Sequence, residues 1–157
     1  MENFQQVGSC LEEIHKQRLP ERRHFCLDTL RLMPLQIHQM GATFQTHIAG
    51  SVEMNVRSEM VRIYRVTDLI HGNEFVQVCT RYYTALGHLF ALLAKQPYGE
   101  PGAVITDGYP LVMVKPSKRT GALFAIHVFW KKSARGWVFG ACPLEEMIFG
   151  KDFCLLV

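Results

Sequence analysis

From residue 9 to about residue 95 the apolar positions recur mostly at three- and four-residue spacing, whereas beyond residue 100 they alternate. The pattern predicts a helical half (about 9–95) followed by a sheet half (about 102–157). Ser9 and Glu12 form an S-x-x-E capping box opening a helix to about Arg18. Pro20 suits the first turn of a second helix over 20–33, with Cys26, Leu27, Leu30 and Met33 on one face. Ile37, Met40, Phe44 and Ile48 continue the helical spacing over 35–48, weakened at Gly41. Residues 51–70 fit two readings, since "VEMNV" and "VRIYRV" alternate as strands while Val56, Met60, Ile63 and Ile70 also fall on one helix face. Residues 74–95 give the broadest stripe (Phe75, Cys79, Tyr82, Leu86, Leu89, Leu93), with Gln77, Arg81, Thr84 and His88 opposite as a polar edge.

In the second half, Asp107-Gly108 between apolar runs is a hairpin signal. Strands are predicted at about 103–106, 109–115, 121–130 and 136–142, followed by a short helix over "PLEEMIFG" and a last strand, "DFCLLV". The fold class expected is therefore α+β: one domain of N-terminal helices packed on a C-terminal antiparallel β-meander, whose sheet can curve into a cup.

Strand pairing then sorts side chains between faces. With loops at 116–120 and 131–136, Trp130 stands opposite Trp137 and Lys115 opposite Gly121. One face gathers Val112, Val114, Phe124, Ile126, Val128, Trp130, Trp137 and Phe139. The other carries one polar group of interest: His127, flanked by Tyr109 and Gly140 on the neighbouring strands, with Thr106 beyond Tyr109 and Cys142 two positions from Gly140. Glycine at 140 leaves room beside the imidazole, as a pocket floor or a close contact requires. Thr106, Tyr109, His127, Gly140 and Cys142 are thus the candidate ligand pocket, an apolar hollow with few polar anchors. The alternative is a core histidine hydrogen-bonded to Tyr109, and a one-residue slip in either hairpin would dissolve the group.

Composition changes this picture little. The 157 residues are 48% hydrophobic and 20% charged, which excludes a disordered chain. No run reaches the ~18 apolar residues of a membrane span, and "MENFQQVGSC" lacks the pattern of a secretion signal, so the expected location is cytoplasmic. Five unpaired-looking cysteines read as reduced thiols. Charge is more informative. No acid occurs between Asp107 and Glu145, where about three would be expected at the chain's mean density, while Lys115, Lys118, Arg119, Lys131, Lys132 and Arg135 all fall there.

The nucleotide-loop, zinc-protease, serine-hydrolase and deaminase motifs are absent. "RGWVFGAC" departs at three of eight positions from an RNA-recognition signature. None of the seven histidines lies three or four residues from another, so no metal site and no cofactor are expected. The function expected is a non-enzymatic binding module, homodimeric through the second sheet face or using it for a small apolar ligand or a protein partner. Two alternatives stand beside it. One is nucleic-acid binding through the basic turns (Lys118, Arg119, Lys131, Lys132, Arg135), which requires Arg22, Arg23, Arg57, Arg62 or Arg65 to join one of them. The other is a small enzyme with His127 as general base, or as the base to a Cys142 nucleophile.

Overall fold

A computed structural model describes residues 8–27, 35–79 and 84–157, without the side chains of 76–79. Strand makes up 45% of it against 19% helix, which overturns the expectation of helices packed on an antiparallel meander. The helix predicted over 9–18 is strand β1 (Leu11–Leu19). That over 20–33 begins as β2 (Arg22–Cys26), and its remainder from residue 28 lies outside the described residues. Residues 35–48 divide into β3 (Ile37–Met40) and a short helix, α1 (Ala42–Phe44), that widens into a π-turn over Gln45–Ala49. The strand reading of 51–70 is the one realised, as β4 (Val52–Val56) and β5 (Glu59–Val66).

The first misreading rested on the Ser9/Glu12 capping box, which a strand follows instead of a helix, and a β-bulge in that strand adds a helix-like spacing. β1 pairs antiparallel with β5, but the register slips between Glu13 and His15, leaving Ile14 as the extra residue. The bulge turns a period of two into a spacing of three between Leu11 and Ile14, which imitates a helix. β1 is an edge of the sheet, and its Glu12, Glu13, Lys16 and Arg18 discourage pairing with another chain.

The rest of the chain is β6 (Ile70–His71), α2 (Gly72–Cys79), α3 (Leu86–Leu93), β7 (Leu111–Pro116), β8 (Leu123–Lys131), β9 (Gly136–Pro143), a 3-10 turn (Leu144–Glu146), β10 (Ile148–Phe149) and β11 (Cys154–Leu156). Seven strands form one mixed sheet in the order β1-β5-β11-β7-β8-β9-β3, in which only β7-β8-β9 is a meander. β11 lies between β5 and β7, parallel to β7, and β3 closes the far edge parallel to β9. Two further pairs, β2–β4 and β6–β10, lie outside this sheet.

Both faces of the sheet carry a core. On the first, Ile63, Met113, Ile126, Trp137 and Phe139 pack with α3 and with Phe44 and Ile48. A stack of rings, Phe25–Phe90–Phe139, joins the β2–β4 ribbon to the sheet through α3, with centroids 5.5 and 5.2 Å apart. On the second, Val112, Val114, Ala125 and Leu155 are covered by Ile70, Phe75, Leu144 and Phe149.

The single helix expected over 74–95 is two, with Thr84 and Ala85 non-helical before α3. Every residue of α3 is buried, including His88, which the polar stripe had placed in solvent. No strand forms at 103–106. The buried Gln96 side chain instead takes both backbone groups of Val104, donating from Nε2 to its carbonyl (2.8 Å) and accepting its N–H at Oε1 (2.9 Å). Asp107-Gly108 makes an Asx turn, with Asp107 Oδ1 accepting the Tyr109 N–H, rather than a hairpin. Among the described residues no helix is long and apolar enough to cross a membrane.

Candidate functional site

Of the two hairpins used to place His127, one has the expected register. Trp130 pairs with Trp137 and His127 with Gly140, and Cys142 pairs with Ala125. The other is displaced by three residues: Lys115 pairs with Phe124, and His127 with Val112. The turn itself is the cause. Ser117 still pairs, its N–H donating to Ala122 O, its Oγ accepts the amides of Arg119 and Thr120, and Gly121 at φ +74° brings the chain back. Three is odd, so β7 presents its other face. Val112 and Val114 join His127, while Leu111 and Met113 go to the Trp137 side.

Tyr109 and Thr106 consequently leave the constellation. Both lie outside the strands, Tyr109 exposed and Thr106 half-buried. What remains is a half-buried strip of His127, Phe129, Val138, Gly140 and Cys142. Gly140 has its explanation here: a Cβ would stand 2.1 Å from His127 Nε2, so the imidazole occupies the space a side chain would need. Gly140→Ala is therefore expected to cost about 1–3 kcal/mol by overpacking, and His127→Ala in the same chain to restore most of it. Denaturant titration of the two variants reads this directly; an undisturbed single variant would refute the contact.

Among the described residues His127 Nδ1 is buried without a hydrogen-bond partner, and burial holds the imidazole below its ordinary value. In the window below pH 6.5 the unfolded chain then binds more protons at this residue than the folded one. Stability contributed by this group is thus present above that pH and falls as pH drops through it. Urea midpoints at pH 7.5 and 5.5 are expected to differ less in His127→Gln than in the natural chain. The enzyme pairing fares poorly in this environment, because burial, then the Glu146 charge, pushes the Cys142 thiol up, away from the thiolate a nucleophile requires. The Cys142 thiol is also directed at Met147 Sδ, 3.6 Å away.

A different place collects charge and space. Glu53, on β4, is largely buried and reaches the start of α3, where Oε2 accepts the Leu86 N–H (2.8 Å) and Oε1 the Gly87 N–H (2.7 Å). Lys115 Nζ donates to the same carboxylate at 2.7 Å. A carboxylate from a distant strand thus serves as the helix cap, suited to the positive end of the helix dipole. Around this anchor opens a cavity of about 420 Å³, lined also by Asn55, Val56, Arg57, Glu59 and Thr84. A second cavity of about 330 Å³ adjoins it, sharing Asn55, Val56 and Arg57 and adding Glu21, Arg22 and Arg23. Asn55, common to both, sits at φ +52°, a conformation asparagine tolerates better than most residues.

Among the described residues, Arg22, Arg23 and Arg57 form no ion pair, whereas Arg62 is held by Glu13 at 3.1 Å. His88 lies behind the cleft, fully buried, with Nδ1 3.8 Å from Glu59 Oε2 and, among the described residues, no hydrogen bond at either nitrogen. The basic turns stand apart. Lys118 and Arg119 precede the nine-residue β8, whereas Lys131 ends it and Lys132 and Arg135 follow it. Lys118 Nζ donates to Gly50 O, at the head of β4, so that turn alone reaches the ribbon. Sequence reasoning missed the cleft because its walls come from β2, β4 and the start of α3, which had been read as helix or left open. The adjacent Arg22 and Arg23 were the available signal.

Among the described residues no three His, Cys, Asp or Glu side chains gather as a metal site would need. No family model, no curated protein and no solved structure matches this chain.

Proposed function

We propose that the chain is a non-enzymatic binding module whose ligand site is the cleft flanking β4, and that the ligand is an anion bearing phosphate or carboxylate groups. The observation that carries this reading is the pair of adjoining cavities of about 420 and 330 Å³, around which Arg22, Arg23 and Arg57 converge without ion-pair partners among the described residues. Guanidinium groups suit planar, two-pronged recognition of such anions. The lining is charged, so the small apolar ligand expected from the sequence is replaced by a polar one. Self-association through the second sheet face is not part of this reading, since Val112, Val114, Ala125 and Leu155 are already covered within the chain.

Calorimetric titration with pyrophosphate and with citrate tests it. Saturable binding of at least one, weakened tenfold or more in Arg22→Ala/Arg57→Ala and unchanged in His127→Gln, is the expected result. Absence of binding at millimolar ligand, or binding indifferent to the arginines, would overturn it.

A further inference from the structure

Resting on that reading, we infer that the anion taken up along β4 is the backbone of a single-stranded nucleic acid. The cations are strung out rather than clustered. Lys118 touches Gly50 just before one end of the strand, and Arg22, paired with Val56, lines the second cavity with Arg57 at the other end, while Lys115, midway, is already held by Glu53. The five residues of β4 extend over roughly 16 Å at ~3.3 Å per residue, and the cations lie beyond both of its ends, a spread longer than a compact anion.

The acids in the cleft offset these cations less than their number suggests. Glu53 is occupied by three donors, which leaves Glu59 and Glu21 as the carboxylates lining the cavities without a hydrogen-bonded cation among the described residues. An apolar strip lies on the outer face of the ribbon, opposite Glu53 and on the same face as Arg22. Val52 and Met54 are 55% and 63% exposed on one face of the ribbon, with His24 paired to Met54, and Val56, next along that face, lines both cavities. Phosphate contacts along a groove next to exposed apolar and ring surface are the two halves of sequence-tolerant single-strand binding. A duplex would hide its base faces from that strip, and an acidic peptide has no use for it.

Fluorescence anisotropy with labelled ten-residue oligothymidylate and oligouridylate tests the inference, alongside the matching duplex, polyglutamate of equal charge and pyrophosphate. Expected is binding of the single strands at least tenfold tighter than of the duplex or polyglutamate, with affinity falling with salt at a log–log slope of about −2 to −3, as three or four phosphate contacts give. Arg22→Ala/Arg57→Ala should lower affinity tenfold or more and flatten that slope by about 1.4. Met54→Ser/His24→Ser should weaken binding several-fold and leave the slope unchanged. None of these residues belongs to the buried core, so the fold should stay intact, which circular dichroism checks. If pyrophosphate binds through the arginines but the oligonucleotides bind no tighter than polyglutamate or duplex, the inference fails and the anion site stands. If nothing binds, both fail.

Discussion

Glu53→Ala is expected to destabilise the protein by about 4 kcal/mol, the larger part of it from groups left behind rather than from the carboxylate itself. Removing the side chain frees two N–H groups at the start of α3, each bonded to an anion at 2.8 Å or less, and leaves Lys115 largely buried without its partner. Loss of a cap costs about 1 kcal/mol, and breaking a buried pair on one side typically costs about 3–5 kcal/mol. With the Glu53 side chain 11% and that of Lys115 17% exposed, the lower end of the combined range applies. Glu53→Gln keeps an acceptor for the helix and should cost about half as much. Lys115→Met should soften the effect of Glu53→Gln, since the buried cation is then gone. Urea unfolding of the natural chain, Glu53→Gln, Lys115→Met and their double variant forms a double-mutant cycle, and beside it a Glu53→Ala midpoint equal to that of the natural chain would show that the cap carries no stability.

Gly72→Ala is the second large effect expected, about 3 kcal/mol or more, at the upper end of overpacking. A Cβ on Gly72 would stand 1.6 Å from the Leu144 carbonyl oxygen and 3.0 Å from that of Met147. Both obstacles are backbone, so no rotamer change relieves them. The Gly72 N–H also donates to Met147 O at 2.7 Å, and β6 pairs with β10 immediately beside it. The substitution must therefore lift α2 from the 3-10 turn and expose Phe75, Leu144 and Phe149. Hydrogen exchange should accelerate in β6, β10 and α2 before it changes in β7 or β8, and Gly8→Ala, with open space around its Cβ, should have no comparable effect. Uniform loss of protection across the chain would mean that this lid does not move as a unit.

How far the sequence could be read follows from where local chemistry decided the geometry. The β8–β9 hairpin was legible because "KKSARG" separates two alternating runs whose tryptophans face each other, 5.4 Å apart in the fold. The β7–β8 hairpin was not, since Ser117, placed in the loop, extends the pairing by capping its own turn. The N-terminal half was least legible. A bulge at Ile14 gave β1 a false helical spacing, and Arg22 and Arg23 stand in a five-residue strand whose one fully buried side chain, Phe25, is a weak signal. His88 was misplaced for a related reason: its helix is buried on all sides, where amphipathic reasoning has nothing to sort. The cleft is a product of long-range contacts, since Glu53 and Leu86 are 33 residues apart, and no local pattern announces their meeting.

The position of β11 has a consequence for the order in which this protein can be made. Among the described residues it is the one strand joining the β1–β5 pair to the β7–β8–β9–β3 group, and it pairs residues 154–156 with residues 63–65. Closing so long a loop is entropically costly and slows folding. During synthesis the inner edges of β5 and β7 stay unpaired until residues 154–156 leave the ribosome. That interval is when the nascent chain has most to gain from a chaperone.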